Sequence, residues 1–147
     1  MDRTLLAALA TIAVGGLIAL QAPINSGLGK STTTFSAAAI SFTVGTIALV
    51  GIVAVKGEIG KVTGAADVRA YYLIGGLLGA AYVTTVLTTV RTLGAGGVTA
   101  ATVAGQLTTS VIIDRLGILG LEEVPITLTR VLGILLLFAG TILVIKT

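Results

Sequence analysis

The sequence predicts an all-α integral membrane protein, a bundle of five transmembrane helices forming one domain over residues 1–147. Three observations predict it. Hydrophobic residues make up 55% of the chain and charged residues only 10%, against about 25% charged in soluble domains. So few charges cannot cover a water-facing surface, and lipid is the alternative solvent. Five apolar stretches each approach the roughly 20 residues needed to cross a bilayer. The chain also holds 20 glycines, and small residues let membrane helices approach closely.

The first helix is expected from about Thr4 to Ala22. Asp2-Arg3 ahead of it gives it the look of a secretory leader, but further spans follow, so it is read as a retained span. Pro23, which cannot donate to a helix, and then Gly27, Gly29 and Lys30 mark its end. The second helix runs from about Phe35 to Val55. Lys56 to Arg69 is the longest polar connection, with Lys56, Glu58, Lys61, Asp67 and Arg69. The third helix covers about Ala70 to Val90, with Tyr71 and Tyr72 as interface anchors. Leu93-Gly94-Ala95-Gly96-Gly97 then reads as a tight turn between antiparallel neighbours. The fourth helix, about Gly97 to Ile113, is rich in polar residues, and four helices with this segment re-entrant is the alternative. The fifth covers about Ile126 to Ile145. Glu122, Glu123 and Pro125 precede it and suit a helix start.

An odd number of spans places the ends of the chain on opposite sides. Arg3, Lys56, Lys61, Arg69, Arg115 and Arg130 fall on one side, and Lys30, Arg91 and Lys146 on the other. Positive charge concentrates on the cytoplasmic side, so the N-terminus is expected inside, by a bias weak enough to suit insertion in both orientations.

Composition excludes several chemistries. There is no Cys and no His, hence no disulfide framework and no Cys/His metal site. The commonest catalytic base and the thiol nucleophile are missing too. No enzyme, metal or cofactor is expected. The net charge of +3 is scattered, so no nucleic-acid partner is expected either. Gly27-Leu28-Gly29-Lys30-Ser31 looks like the end of a phosphate-binding loop, but Ile24 stands where that motif needs Gly. It is read as a polar turn.

The polar residues inside apolar stretches are the candidate site. Gln21 and Asn25 lie four apart on one helix face. They read either as a substrate-facing cluster or as capping groups. Tyr82 sits mid-segment with a phenol that needs a partner. Thr84, Thr85, Thr88 and Thr89 can return hydrogen bonds to their own helix. Thr102, Gln106, Thr109 or Ser110, and Asp114 form one stripe at helical spacing. A mid-membrane Gln is costly unless satisfied, so the stripe reads as a pathway lining, with interhelical hydrogen bonding as the other reading. Gly97 to Asp114 is roughly 26 Å. That places Asp114 near the edge of the hydrocarbon beside Arg115, as an interfacial ion pair or a cation relay. Gly75, Gly79, Ala101, Gly105, Gly133 and Gly140 are expected to serve helix packing. No carboxylate lies mid-helix and aromatic content is 4%, which suits capture of a lipophilic cation poorly.

The run Gly75-Gly76-Leu77-Leu78-Gly79-Ala80-Ala81-Tyr82-Val83 resembles part of the YdcZ family of the drug/metabolite transporter superfamily. So do Leu93-Gly94-Ala95, Gly105-Gln106-Leu107 and Ile113-Asp114-Arg115-Leu116-Gly117-Ile118-Leu119-Gly120. The Gln21…Asn25 pair and Arg130…Gly133…Gly140 are similar as well. One departure stands out: Arg91 occupies a place before the Leu-Gly turn where the family often has Pro. The resemblance implies a five-helix carrier of small solutes in the bacterial inner membrane. Larger superfamily members pair two inverted five-helix halves, so it also implies an antiparallel homodimer, or a heterodimer with a paralogue, around a central path. Unlike the small multidrug resistance branch, the chain has no acid in its first helix.

The expected function is a secondary transporter, exporting a small polar or amphipathic metabolite by alternating access in a dual-topology dimer. Gln21, Asn25, Tyr82, Thr85, Thr102, Gln106, Thr109, Ser110 and Asp114 would line its path. A small dual-topology ion channel and a non-transporting subunit of a larger membrane complex are the alternatives.

Overall fold

A computed structural model of the chain describes residues 2–146. These are almost entirely helical, with no strand among the described residues. The order is α1 (Arg3–Ser31), α2 (Thr34–Val55), two 3₁₀ segments (Ile59–Asp67 and Ala70–Ile74), α3 (Gly75–Leu116) and α4 (Leu128–Ile145). Four helices are long and apolar enough to cross a membrane, one fewer than expected. The difference lies in α3, where the third and fourth expected helices join.

The join has one non-helical residue, Gly94, at φ 69° and ψ 167°. That region is open to glycine alone. The expected five-residue turn at Leu93–Gly97 is thus compressed to a single break. Residues on both sides remain helical.

The end of α1 moves as well. Pro23 lies inside the helix, which runs on to Ser31. A proline forfeits one helical hydrogen bond, whereas ending the helix there would strand four carbonyls. Thr32 ends α1 instead. Its backbone N–H and its hydroxyl both donate to the Leu28 carbonyl, at 3.2 and 2.9 Å. Thr33 then caps α2 by accepting from the Ser36 N–H. Likewise α4 begins at Leu128, two residues after the expected Ile126, capped by Thr127. Glu123 is drawn away to pair with Arg115.

The chain divides within α3 into two compact units, Met1–Arg91 and Thr92–Thr147. In the first, the two-residue link Thr32–Thr33 folds α2 back along α1. Its core is Ala37 and Ala38 of α2 with Val83 and Leu87 of α3, flanked by Leu28 and Tyr82. Leu87 is the one large side chain fully buried among the described residues. Gly79 of α3 admits the Phe42 ring, which lies 3.3 Å from where a Cβ would be. In the second unit, the end of α4 packs on the start of the second half of α3. Ile145 lies 3.3 Å from a Cβ placed on Gly97. There the Thr141 hydroxyl lies 3.1 Å from the Ala100 carbonyl and 2.8 Å from its own Leu137 carbonyl.

Core residues are few and small, while Leu17, Ile47, Val55, Leu136 and Leu143 stand more than half exposed. A soluble protein would not leave whole helices bare in this way. Lipid contact accounts for them, as for the mean hydropathy above 1.6 of all four spans.

Candidate functional site

Within the first unit, α1 carries a buried stripe of Ala22, Asn25, Ser26 and Gly29. Their spacing of three, one and three residues sets them along one helix face. Gly29 is the narrowest point. A Cβ there would meet the Arg91 guanidinium at 3.1 Å, Ala37 Cβ at 3.7 Å and Thr34 Cα at 3.9 Å. The absence of a side chain at Gly29 is therefore what lets Arg91 of α3 lie against α1.

Arg91 reaches one turn along that face. Its Nε donates to Ser26 Oγ at 3.4 Å, a length at the weak limit for such a bond. Arg91 is itself exposed and has no carboxylate partner among the described residues. Asn25, between Ala22 and Ser26 in the stripe, is only 5% exposed. Its side-chain nitrogen is buried without a hydrogen-bond partner in the protein. Buried donors are normally satisfied, and each one left open costs about 1–3 kcal/mol. One buried donor without a partner, the Asn25 amide, and one exposed cation without a carboxylate partner, Arg91, therefore meet at one face of α1.

The other expected site residues are spread. Gln21 does not share the setting of Asn25. It is exposed and lines a shallow groove of about 230 Å³ with Ser41, Phe42, Gly45, Thr46 and Leu49. Tyr82 is half-buried against the core of the first unit. Thr85 donates its hydroxyl to the Ala81 carbonyl at 2.9 Å, and Thr89 returns to Thr85 in the same manner. Their protons are spent on their own helix.

In the second unit, Thr102 and Ala101 are half-buried, while Gln106, Thr109 and Ser110 are exposed along the second half of α3. Asp114 at its end pairs with Arg130 of α4, Oδ2 to Nη1 at 3.1 Å, each about one-third exposed. The neighbour expected to share its charge, Arg115, pairs with Glu123 instead. The Asp114 carbonyl also accepts from the Val124 N–H at 2.8 Å. This corner closes the connection between α3 and α4, and every charged group named in it is partnered. Of the glycines expected in packing, Gly79 meets a neighbour, whereas a Cβ at Gly75, Gly105, Gly133 or Gly140 would meet nothing.

Sequence reasoning missed Arg91, Ser26 and Gly29. Ending α1 at Pro23 hid them, because it assigned Ser26 and Gly29 to a turn. Read through the proline, small and polar residues at 22, 25, 26 and 29 form a stripe in plain view. Arg91, an arginine at the end of an apolar run, was the second sign.

A family model described as "Putative inner membrane exporter, YdcZ" matches residues 6–143, nearly the whole chain. No curated protein and no solved structure matches.

Proposed function

Because the chain belongs to the YdcZ family of inner membrane exporters, we propose that it is a secondary transporter moving a small polar or amphipathic solute by alternating access. One observation carries the reading beyond the family: the buried, unpartnered amide of Asn25 in a membrane-length helix. A polar group kept at that cost in an apolar setting, with no interhelical partner to explain it, supports a solute path. All of residues 1–147 form one membrane domain in this reading, with five crossings. A 42-residue helix would be about 63 Å long, twice the hydrocarbon thickness, whereas each side of Gly94 is about one span.

The functional unit is an antiparallel dimer, in which each copy supplies half of the path near the midplane. The stripe of half-buried Thr102 and exposed Gln106, Thr109 and Ser110 faces the second copy. The open faces of Gly105, Gly133 and Gly140 give close contact there, and Gln21, Tyr82 and Thr85 complete the lining.

The test is flux in proteoliposomes across a panel of labelled carboxylates, amines and sugars. Asn25→Leu is expected to slow export of the transported solute at least about tenfold, the effect of losing one well-placed hydrogen bond. Gln106→Leu is expected to slow it less. Flux of every solute at the wild-type rate in both variants would remove these residues from the path.

A further inference from the structure

The polar stripe of α1 has a sign. Arg91 brings a full positive charge, and its guanidinium cannot be deprotonated in a protein. Lys30, next to Gly29 and exposed, adds a second. The Asn25 amide nitrogen is a donor only. The Ser26 hydroxyl already accepts from Arg91, so what it has left to offer outward is its proton. The first turn of α2 begins at Thr34, beside Gly29, and a helix start carries partial positive charge. The acids of the first unit lie elsewhere: Asp2 caps the far end of α1, Glu58 pairs with Lys61 beyond the end of α2, and Asp67 closes the first 3₁₀ segment. Asn25 is roughly 35 Å along the helix from Asp2.

We infer that Arg91, Asn25 and Ser26 form an oxyanion site, which takes the carboxylate or phosphate of a small solute. The substrate role of this site rests on the transport reading above, and it makes the exported species an anion. The guanidinium offers two parallel N–H groups to a planar oxyanion. The long contact to Ser26 is the one it gives up, and at 3.4 Å little is lost. An oxyanion held by the guanidinium in place of Ser26 lies one residue from Asn25 on the same buried stripe, where it can answer both the buried amide and the cation. Gly29 lets the guanidinium come this close to α1, since a Cβ there would stand 3.1 Å from it. A lipid headgroup phosphate offers the same chemistry, and the experiment must separate it from a solute.

Asn25 is the only asparagine in the chain, so its side-chain amide gives a unique signal in a ¹⁵N spectrum of the full-length protein. In phosphate-free maltoside micelles, sodium acetate is expected to move the Asn25 amide and the Arg91 Nε resonance along one saturation curve. Sodium chloride at equal ionic strength should move neither. Arg91→Gln should weaken the acetate response at Asn25 at least about tenfold, and Arg91→Lys by less, because the charge remains while the paired donors are lost. The Gln21 and Gln106 amides report whether each variant is folded, and the two wild-type curves stand as a test even if neither variant folds. No acetate response, or one matched by chloride, would overturn the site. A response to added phosphatidylglycerol but not to acetate would overturn its assignment to a solute. Flux of a cationic or neutral solute with a silent Asn25 would end the anion inference and leave the transporter. Acetate binding with no flux of any solute would do the reverse.

Discussion

Arg91 and Arg130 are the same residue in opposite circumstances. Arg130 is held by Asp114 at 3.1 Å, in a corner also closed by Arg115–Glu123 and by the Val124 N–H on the Asp114 carbonyl. Arg91 has only a 3.4 Å contact to a serine, next to an amide with no partner. Where charge is answered within the chain, it serves the architecture. Where it is not, the protein has left a demand for something else to meet, and little in the packing of the first unit explains why that demand survives.

The sharpest way to break this contrast is to remove each cation in turn. Arg91→Leu is expected to lower export about a hundredfold, as when one partner of a desolvated charged contact is lost, while leaving the protein as stable as before. Replacing an exposed charge that has no carboxylate partner by an apolar group need not destabilise. Arg130→Leu should do the opposite, lowering stability by about 1 kcal/mol, since its pair is one-third exposed and partly screened, with export per folded molecule unchanged. Proteoliposome flux and unfolding in mixed micelles measure the two. Equal behaviour of the variants would dissolve the distinction.

Next in size is the break that separates the two regions. Gly94→Ala forces a side chain into a conformation reserved for glycine, at a cost of about 1–3 kcal/mol, and the unfolding midpoint in mixed micelles should fall accordingly. An unchanged midpoint would mean that α3 can straighten at no penalty. Thr141→Val follows, removing the hydroxyl that binds α4 to the Ala100 carbonyl. Interhelical hydrogen bonds of this kind average about 0.6 kcal/mol in membranes, and the same titration would resolve that loss.

Much of the architecture was legible because a bilayer dictates it. The apolar runs at 35–55 and 126–145 match α2 and α4 to within two residues, since length and hydropathy alone decide a lipid-exposed helix. The local breaks were not legible. Pro23 and Leu93–Gly97 carry the residues that end helices in water, where a freed carbonyl finds a solvent partner. The chain keeps its helix through Pro23 and breaks the 93–97 stretch at Gly94 alone. The site suffered from the same assumption. Asn25 was visible with Gln21 as a polar pair at the end of the first helix, and Asp114 as an ion-pair candidate, though with Arg115, where the structure pairs it with Arg130. Ser26, Gly29 and Arg91 needed an uninterrupted α1 and a long-range contact across 65 positions, which spacing within one helix cannot supply.

The smallest effect completes the contrast at its structural end. Asp114→Asn keeps the shape of the side chain and removes its charge, so Arg130 retains a hydrogen-bond acceptor at nearly the same place. With both groups one-third exposed, the loss should stay near 0.5 kcal/mol and shrink as salt rises. Export should not change. If Asp114 were instead a cation relay, its neutralisation would stop coupled flux while barely touching stability, which is the signature assigned here to Arg91. Flux by Asp114→Asn at the wild-type rate, measured beside Arg91→Leu in the same vesicles, therefore assigns the transport chemistry to Arg91, mid-way along α3, and not to Asp114 near its end. A collapse of flux in Asp114→Asn would move the working charge into the second unit and make the pair with Arg130 a resting state.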